Sequence, residues 1–547
     1  MHSSEKTRSY RLALGILIGA ICAVNILWIH TNVAPPRMYD DTVYLTDSVR
    51  LFLTIQERGI GPFLRECAEP TKSHPPMIKI LPVPFYFLFG PGTGPALYAY
   101  TLLIPIFCIY LFLLARSLFL SEEIAIFAVA ISTAFPLMYG MWRNVMAEFG
   151  ITVAVTACLY HLIRSDSFRI RKHVWLAGLF FGWGMLWKIS FPVFVLGPLM
   201  YVMSRRYFSL PSGPAEARSR LNNLVSFGAA VLLVAGPFYM IGGREVIRFA
   251  VSSAAPKQYN EQWSLGPVFS PKTVALYWLN IVNFGISPYL FGVLAVLLVI
   301  YVTRVKAVAF HRDVLWFLGA WLVPPLLFFS FQVLKEIRHL LPALPGIGIA
   351  GAVLLVSALQ GSRRPLRSAL LLFLCAYPAY QFIASSFDTP YAPRKDLRLG
   401  PFILLIKDLE LASLQLIPTY TFPANPIAWP TREVVSAIAS HTSHAHLPAV
   451  RVVGEHPYMS GLVLTYQSVL SGTPITSHGP FRRQDPALSD FSVVVCGPEK
   501  RYGPLDLREA QVAASIADPR NGFQEIARVR LPSQCDALIY KNDRLGR

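Results

Sequence analysis

The sequence predicts a polytopic α-helical membrane protein of about eleven transmembrane helices, followed by a smaller extracytoplasmic α/β domain. Three observations predict it. The 547 residues are 54% hydrophobic and only 15% charged, which is too apolar for a soluble multidomain chain of that length. The apolar residues fall in runs close to the roughly twenty needed to cross a hydrocarbon core. Lys and Arg gather in the short loops between those runs, so the formal charge of +18 reads as membrane topology and not as a nucleic-acid surface.

Element by element, the spans run near 11–30, 96–115, 123–142, 147–163, 174–187, 189–203, 221–241, 284–303, 314–334, 342–360 and 366–386. The N-terminal run, preceded by Lys6, Arg8 and Arg11, reads as a retained signal anchor, because no convincing small-residue cleavage site follows it. The basic clusters at Arg116, Arg164 to Lys172, Arg205 to Arg220, Arg304 to Arg312 and Arg363 to Arg367 fall on one side only if the chain turns at Lys188. That side is expected to be cytoplasmic. The opposite side then receives the loop 31–95, a second loop near 242–283, and the tail. The chain divides into a membrane domain, 1–386, and a tail domain, 387–547. After a Pro-rich stretch at 390–430, the tail shows a helix at Thr431 to Ser440 and strands at Val450 to Val453 and Phe491 to Val495.

Cys22, Cys108, Cys158 and Cys375 lie in apolar runs as small hydrophobes, and none of the seven cysteines has metal-ligand spacing. Cys496 and Cys535 flank a soluble segment and can form a disulfide if it faces an oxidising compartment. His441, His444 and His446 cluster in the tail without an acidic or cysteine partner, which reads as a solvated loop.

The chemistry-bearing residues collect on the outer side. Asp40 and Asp41 stand about ten residues beyond the first span, before a helical pattern at 42–58 in which Leu45, Val49 and Phe52 share a face and Gly59 ends the run. Asp41 is either the N-cap of that helix or a second working carboxylate. In the same loop, Pro75 and Pro76 stiffen the segment presenting His74 and Lys79.

Asp40-Asp41-x-x-Tyr44 followed by His74-Pro75-Pro76-Met77-x-Lys79 resembles the acidic and His-Pro-Pro-Leu-Gly-Lys motifs of the protein O-mannosyltransferases. More broadly it resembles glycosyltransferase family 39 and its bacterial relatives, including the aminoarabinose transferases that modify lipid A. Arg143-x-x-Met146-x-Glu148, the Gly-rich stretch Gly178 to Lys188, and Arg338-His339-Leu340-Leu341-Pro342 resemble further elements of that group, so the likeness covers about residues 10–360. It implies a C-type glycosyltransferase fold and transfer, with inversion, of a sugar from a polyprenyl-phosphate carrier. Asp40 is then the expected catalytic base, and Asp41 its support. Lys79, Arg143, Lys188, Lys335, Arg338 and His339 are the candidates for the donor phosphate, with interfacial snorkelling as the alternative for each. Arg338 and Lys335 are the preferred pair. Tyr44, His74 and Glu148 are acceptor-side or structural residues, with Arg143 a possible partner of Glu148.

The resemblance implies no obligatory metal, although the carboxylates and His74 are competent ligands for a divalent ion. Asp41 stands where the mannosyltransferases usually carry Glu, Ile78 replaces a Gly, and the tail has no sign of their carbohydrate-binding insert. These departures leave the sugar, and an acceptor among protein, lipid and envelope glycan, open. The expected location is a bacterial inner membrane with a periplasmic tail. A lipid transporter or flippase is the rival reading, set against by spans that are nearly free of charge.

Overall fold

The computed structural model describes residues 2–545 apart from 37–38, 72–73, 208–213, 255–265, 304–311, 334, 361–363, 389–396, 406–419, 443–446, 455, 457, 474, 478–488, 496–506 and 533. His444, His446 and Cys496 therefore lie outside the described residues, as does most of the Pro-rich stretch.

The first span is helix α1 (His2–Thr31). The outer loop after it folds into α2 (Tyr39–Arg58), α3 (Ile60–Cys67), α4 (Met77–Ile80) and α5 (Val83–Phe89). Leu45, Val49 and Phe52 are buried, as the helical spacing predicts. Then come α6 (Thr93–Phe119), α7 (Glu122–Thr133), α8 (Pro136–Met141), α9 (Ala147–Arg164), α10 (Arg171–Trp187), α11 (Pro192–Tyr207), α12 (Pro214–Ile241) and α13 (Gly243–Ala254). The membrane domain closes with α14 (Pro271–Asn280), a π-helical turn (Ile281–Ile286), α15 (Pro288–Thr303), α16 (Arg312–Ser330), a 3-10 segment (Ile337–Ala343), α17 (Leu344–Leu359) and α18 (Arg364–Ser386).

Helix stands at every predicted span, but the count of eleven membrane crossings is not reproduced by length and apolarity. Among the described residues, five helices meet that measure: Arg8–Thr31, Thr93–Phe119, Arg218–Ile241, Arg312–Ser330 and Ile337–Leu359. A sixth is added if Pro271–Ile286 and Pro288–Thr303, bent by 99°, make one broken span. Backbone breaks interrupt two of the apolar runs. Pro136 separates α7 from α8, and the bend after the π-turn falls at Ser287, whose φ of 84° lies in the left-handed region. The turn required at Lys188 is present, since α10 ends at Trp187 and Lys188 is extended. The chain is an integral membrane protein.

The Gly-rich stretch of α10 serves helix packing. A Cβ at Gly178 would stand 2.6 Å from the Phe227 carbonyl oxygen, and one at Gly182 would stand 2.8 Å from Val234, so α10 lies close against α12. Residues predicted to share a side do meet. Arg11 and Arg116 both pair with Glu122, at 3.6 and 3.3 Å, and Arg367 pairs with Glu123.

In the tail, β1 (Leu397–Leu399) and β2 (Phe402–Leu405) form an antiparallel hairpin. Helix α19 (Thr431–Ala439) precedes β3 (Ala449–Val453), α20 (Gly461–Leu470), β4 (Thr476–Ser477), β5 (Phe491–Val495), α21 (Leu507–Ala517), β6 (Phe523–Arg530) and β7 (Asp536–Asn542). The five strands β3 to β7 make one sheet in the order β4-β3-β5-β7-β6, with β3 parallel to β4 and β5 and β7 antiparallel to its neighbours. Val434 and Ile438 of α19 pack with Val450, Val493 and Ile539 into a second core. Cys535 is disulfide-bonded, whereas Cys22, Cys67, Cys108, Cys158 and Cys375 are free thiols.

Helix α20 packs against α2, and Tyr466 meets Thr93 at the start of α6, 3.1 Å oxygen to oxygen. A strap, residues 420–425, crosses the outer helix ends. Thr421 donates to the Pro136 carbonyl (2.8 Å), the Trp28 indole donates to the Phe422 carbonyl (3.4 Å), and the Ala424 N–H donates to the Ser386 carbonyl (2.9 Å). The Asn425 carbonyl accepts from Val33 and Ala34, at 2.9 and 3.2 Å. Gly140 makes this approach possible, because a Cβ there would lie 2.8 Å from the Tyr420 carbonyl oxygen.

Candidate active site

The acid pair opens helix α2 from inside its first turn, since the helix begins at Tyr39. Asp41 therefore lies inside the helix and is not its N-cap, one of the two readings its sequence position allowed. Its Oδ1 accepts the Val145 N–H at 2.8 Å, from the extended link between α8 and α9. Asp41 is 5% exposed, and burial, with the neighbouring Asp40 charge adding to it, pushes its carboxyl up to about 7 against the opposing Val145 hydrogen bond. Asp40 faces a different group. Its Oδ2 accepts from Arg338 Nη2 at 2.8 Å, and its side chain is 24% exposed. Two adjacent carboxylates are thus separated by environment, one buried and readily protonated, the other solvated and charge-paired.

Arg338 is the hub. It is presented by the 3-10 segment at the start of α17, where it is buried at 11% side-chain exposure. Its Nη1 reaches the Met146 sulfur at 2.8 Å, its Nε pairs with Glu336, and its Nε stands 3.8 Å from Glu148. Glu148, in the first turn of α9, accepts from Lys188 Nζ at 2.7 Å, and His339 Nε2 lies 4.0 Å away. Trp187 packs over Gly150, where a Cβ would be 2.3 Å from the indole, so the Lys188 turn sits directly on α9. The expected pairing of Glu148 with Arg143 is not made. Arg143 is buried elsewhere, with Nε donating to Asn25 (3.2 Å), Nη1 to Ser386 (2.9 Å), and the guanidinium against the rings of Trp28, Tyr139 and Phe382.

Two further expected phosphate partners are turned to backbone carbonyls. Lys79 Nζ donates to Glu66 (2.6 Å) and Glu69 (2.9 Å), and Lys335 Nζ donates to Gln332 (2.8 Å) and Val268 (3.1 Å). Both ammonium groups were exposed to this fate by their long stems, which let them cap nearby loops. Tyr44 is buried within electrostatic reach of Asp40, Arg338 and Glu148, and burial holds its phenol well above its ordinary value. The His74 ring lies between Tyr44 (5.8 Å) and Phe249 (5.5 Å).

Two members of the cluster were missed. Glu336 had a legible signal, an acid among Lys335, Arg338 and His339 at a span end, where an ionised group is costly and usually functional. Tyr420 had none, because only the strap brings it to Glu336, whose Oε2 accepts from its hydroxyl at 3.1 Å. Among the described residues, no three His, Cys, Asp or Glu side chains are grouped as ligands for a metal ion.

Asp41 makes a pH prediction. A carboxyl with a raised folded-state value binds a proton that the unfolded chain releases, so its contribution to stability is full below the ordinary 3.8, falls as pH rises, and is lost by about 7. Thermal unfolding in detergent is expected to show this decline between pH 4 and 7, and Asp41→Asn, which keeps an oxygen for Val145, to flatten it. Identical slopes for the two proteins would show that Asp41 is ionised throughout.

Apolar helices carrying a buried Arg–carboxylate cluster at one end define a membrane-embedded protein with the C-type glycosyltransferase fold. The structure is similar to that of ArnT from Cupriavidus metallidurans bound to undecaprenyl phosphate, with a TM-score of 0.56 at 15% identity over 96% of this chain and 97% of that one. For the apo state of the same protein the TM-score is 0.57 at 15% identity, over 97% and 98%. The apo oligosaccharyltransferase of Archaeoglobus fulgidus is a more distant likeness, with a TM-score of 0.46 at 11% identity over 85% of this chain and 65% of that one. In sequence, residues 73–213 match the family of the dolichyl-phosphate-mannose-protein mannosyltransferases, so the resemblance read from the motifs holds. No curated protein matches the chain in sequence.

Proposed function

We propose that this protein is an inverting glycosyltransferase that moves a sugar from a polyprenyl-phosphate donor to an acceptor on the extracytoplasmic side. One observation carries the reading. Asp40, a partly open carboxylate, is held 2.8 Å from the buried hub Arg338 beside the Glu148–Lys188 pair. The fold around it is shared with ArnT, whose structure holds undecaprenyl phosphate.

In the proposed reaction, an acceptor hydroxyl attacks the anomeric carbon from the face opposite the phosphate. The new carbon–oxygen bond forms, its proton passes to Asp40, and the bond from the anomeric carbon to the phosphate oxygen breaks, so polyprenyl phosphate leaves with the electron pair. Arg338 and Lys188 supply positive charge for that phosphate. Arg338 Nη1 is the readiest donor, because the Met146 thioether that holds it is a weak acceptor. Charge supplied by side chains leaves no step of this reaction dependent on a metal. The bonded state of Cys535 supports an oxidising compartment for the tail, which fits a bacterial inner-membrane protein with its tail in the periplasm.

The test is transfer of radiolabelled sugar from a panel of synthetic polyprenyl-phosphate sugars by the purified protein, with crude envelope as acceptor and EDTA present. Turnover with release of polyprenyl phosphate is expected, and the accepted donor names the sugar. The bent pair 271–303 is the feature that favours the rival, a lipid flippase, since broken helices line transport paths. Donor that is never consumed but moves between vesicle leaflets would replace the transferase reading with that one.

A further inference from the structure

The tail contributes a side chain to the centre of the cluster, and that contribution has a direction. Tyr420 is 4% exposed, and its hydroxyl donates to the same Glu336 oxygen that Arg338 Nε pairs with. The Arg338 guanidinium stands over its ring at 5.8 Å. Its carbonyl accepts from Asn144 Nδ2 at 3.2 Å, and Asn144 immediately precedes Val145, the donor to Asp41. The strap that carries Tyr420 is bonded to the ends of α1 and α18 and to the start of α8. The phenol is therefore placed by the fold.

We propose that Tyr420 is a positioning residue that sets how Arg338 is shared between Glu336 and the catalytic Asp40, so that the tail is part of the active site. The inference rests on the transferase reading with Asp40 as base. Arg338 is one cation among three carboxylates, those of Asp40, Glu148 and Glu336. Hydrogen bonding from Tyr420 disperses the Glu336 charge and fixes that carboxylate on the Nε edge of the guanidinium. The Nη2 edge is thereby left to Asp40. Without the hydroxyl, Glu336 draws Arg338 more strongly and acts on Asp40 as an undiminished like charge.

Other charges around Asp40 are held by separate partners. Lys188 is bound to Glu148, and Asp41 to Val145. His339 lies on Glu148, and His74 between Tyr44 and Phe249. Tyr44 and Tyr100 are buried phenols. The Tyr420 hydroxyl is hydrogen-bonded to Glu336, which the buried Tyr277 also faces, and Tyr277 and these other groups are common to the variants compared.

The experiment is the pH profile of kcat/KM for donor turnover by full-length wild type, Tyr420→Phe, Glu336→Gln and Asp40→Asn in the same detergent. Tyr420→Phe keeps the ring that packs under Arg338 and removes only the hydroxyl. Its acid limb is expected to move up by roughly half to one pH unit. Glu336→Gln removes the competing charge, and its acid limb is expected to move down by a similar amount. A purely structural role would lower the folded fraction in both variants without moving either limb. Unmoved limbs, or limbs moving the same way, overturn the inference while wild type is active and Asp40→Asn is inactive. An active Asp40→Asn overturns the base assignment and the inference with it, and a wild type that consumes no donor overturns the transferase reading itself.

Discussion

Asp40→Asn is expected to lower sugar transfer by on the order of 10²- to 10⁴-fold while leaving the protein folded. The amide keeps the size of the carboxylate and an oxygen for Arg338 Nη2, but it cannot take the acceptor proton. Stability is little affected, because the side chain is partly solvated and Arg338 retains Glu336 and Glu148. The comparison that gives this result meaning is Asp41→Asn, one residue away. Asp41 is buried and its Oδ1 is taken by the Val145 N–H, so it holds the link before α9 away from the open side of the cluster, and its Asn variant, which keeps that oxygen, is expected to keep most of its activity. Initial rates of polyprenyl phosphate release, normalised to the monodisperse fraction, decide between them. A larger loss in Asp41→Asn than in Asp40→Asn would exchange the two roles.

Arg338→Leu is expected to cost both fold and function. It leaves Asp40, Glu148 and Glu336 converging on an apolar side chain, and removing one partner of a buried ion pair typically costs about 3–5 kcal/mol. A marked fall in Tm, or failure to purify, is the expected outcome. Arg338→Lys separates charge from geometry. It restores a cation, so much of the stability is expected to return, but a single ammonium cannot reproduce a planar fork that reaches Asp40, Met146 and Glu336 in three directions. Transfer by Arg338→Lys is therefore expected to fall at least about tenfold even where its Tm approaches wild type. Wild-type melting in Arg338→Leu would show that the cluster is hydrated and that Arg338 does not hold it together.

Much of the molecule was legible in the amino-acid order alone. Apolar runs and the turn demanded at Lys188 determined a helical membrane domain, because lipid leaves the backbone few other solutions. Alternating and helical patterns in the tail located α19, β3 and β5 to within about a residue, since local periodicity is what builds such elements. The order Asp40, Glu148, Lys188, Arg338 named four members of the cluster. Which charges meet was decided only in three dimensions. Lys79, Lys335 and Arg143 carry the same charge as Arg338 and read from the sequence as equal candidates. They are spent on backbone carbonyls or on Asn25 and Ser386, and sequence does not record the last few ångströms of a flexible side chain. Asp41 reads as a cap or a second working carboxylate until the link before α9 offers it the Val145 N–H. Tyr420, 82 residues beyond Arg338 in a segment without periodicity, enters the site because one strap packs over Gly140, a long-range contact with no local signature in the chain.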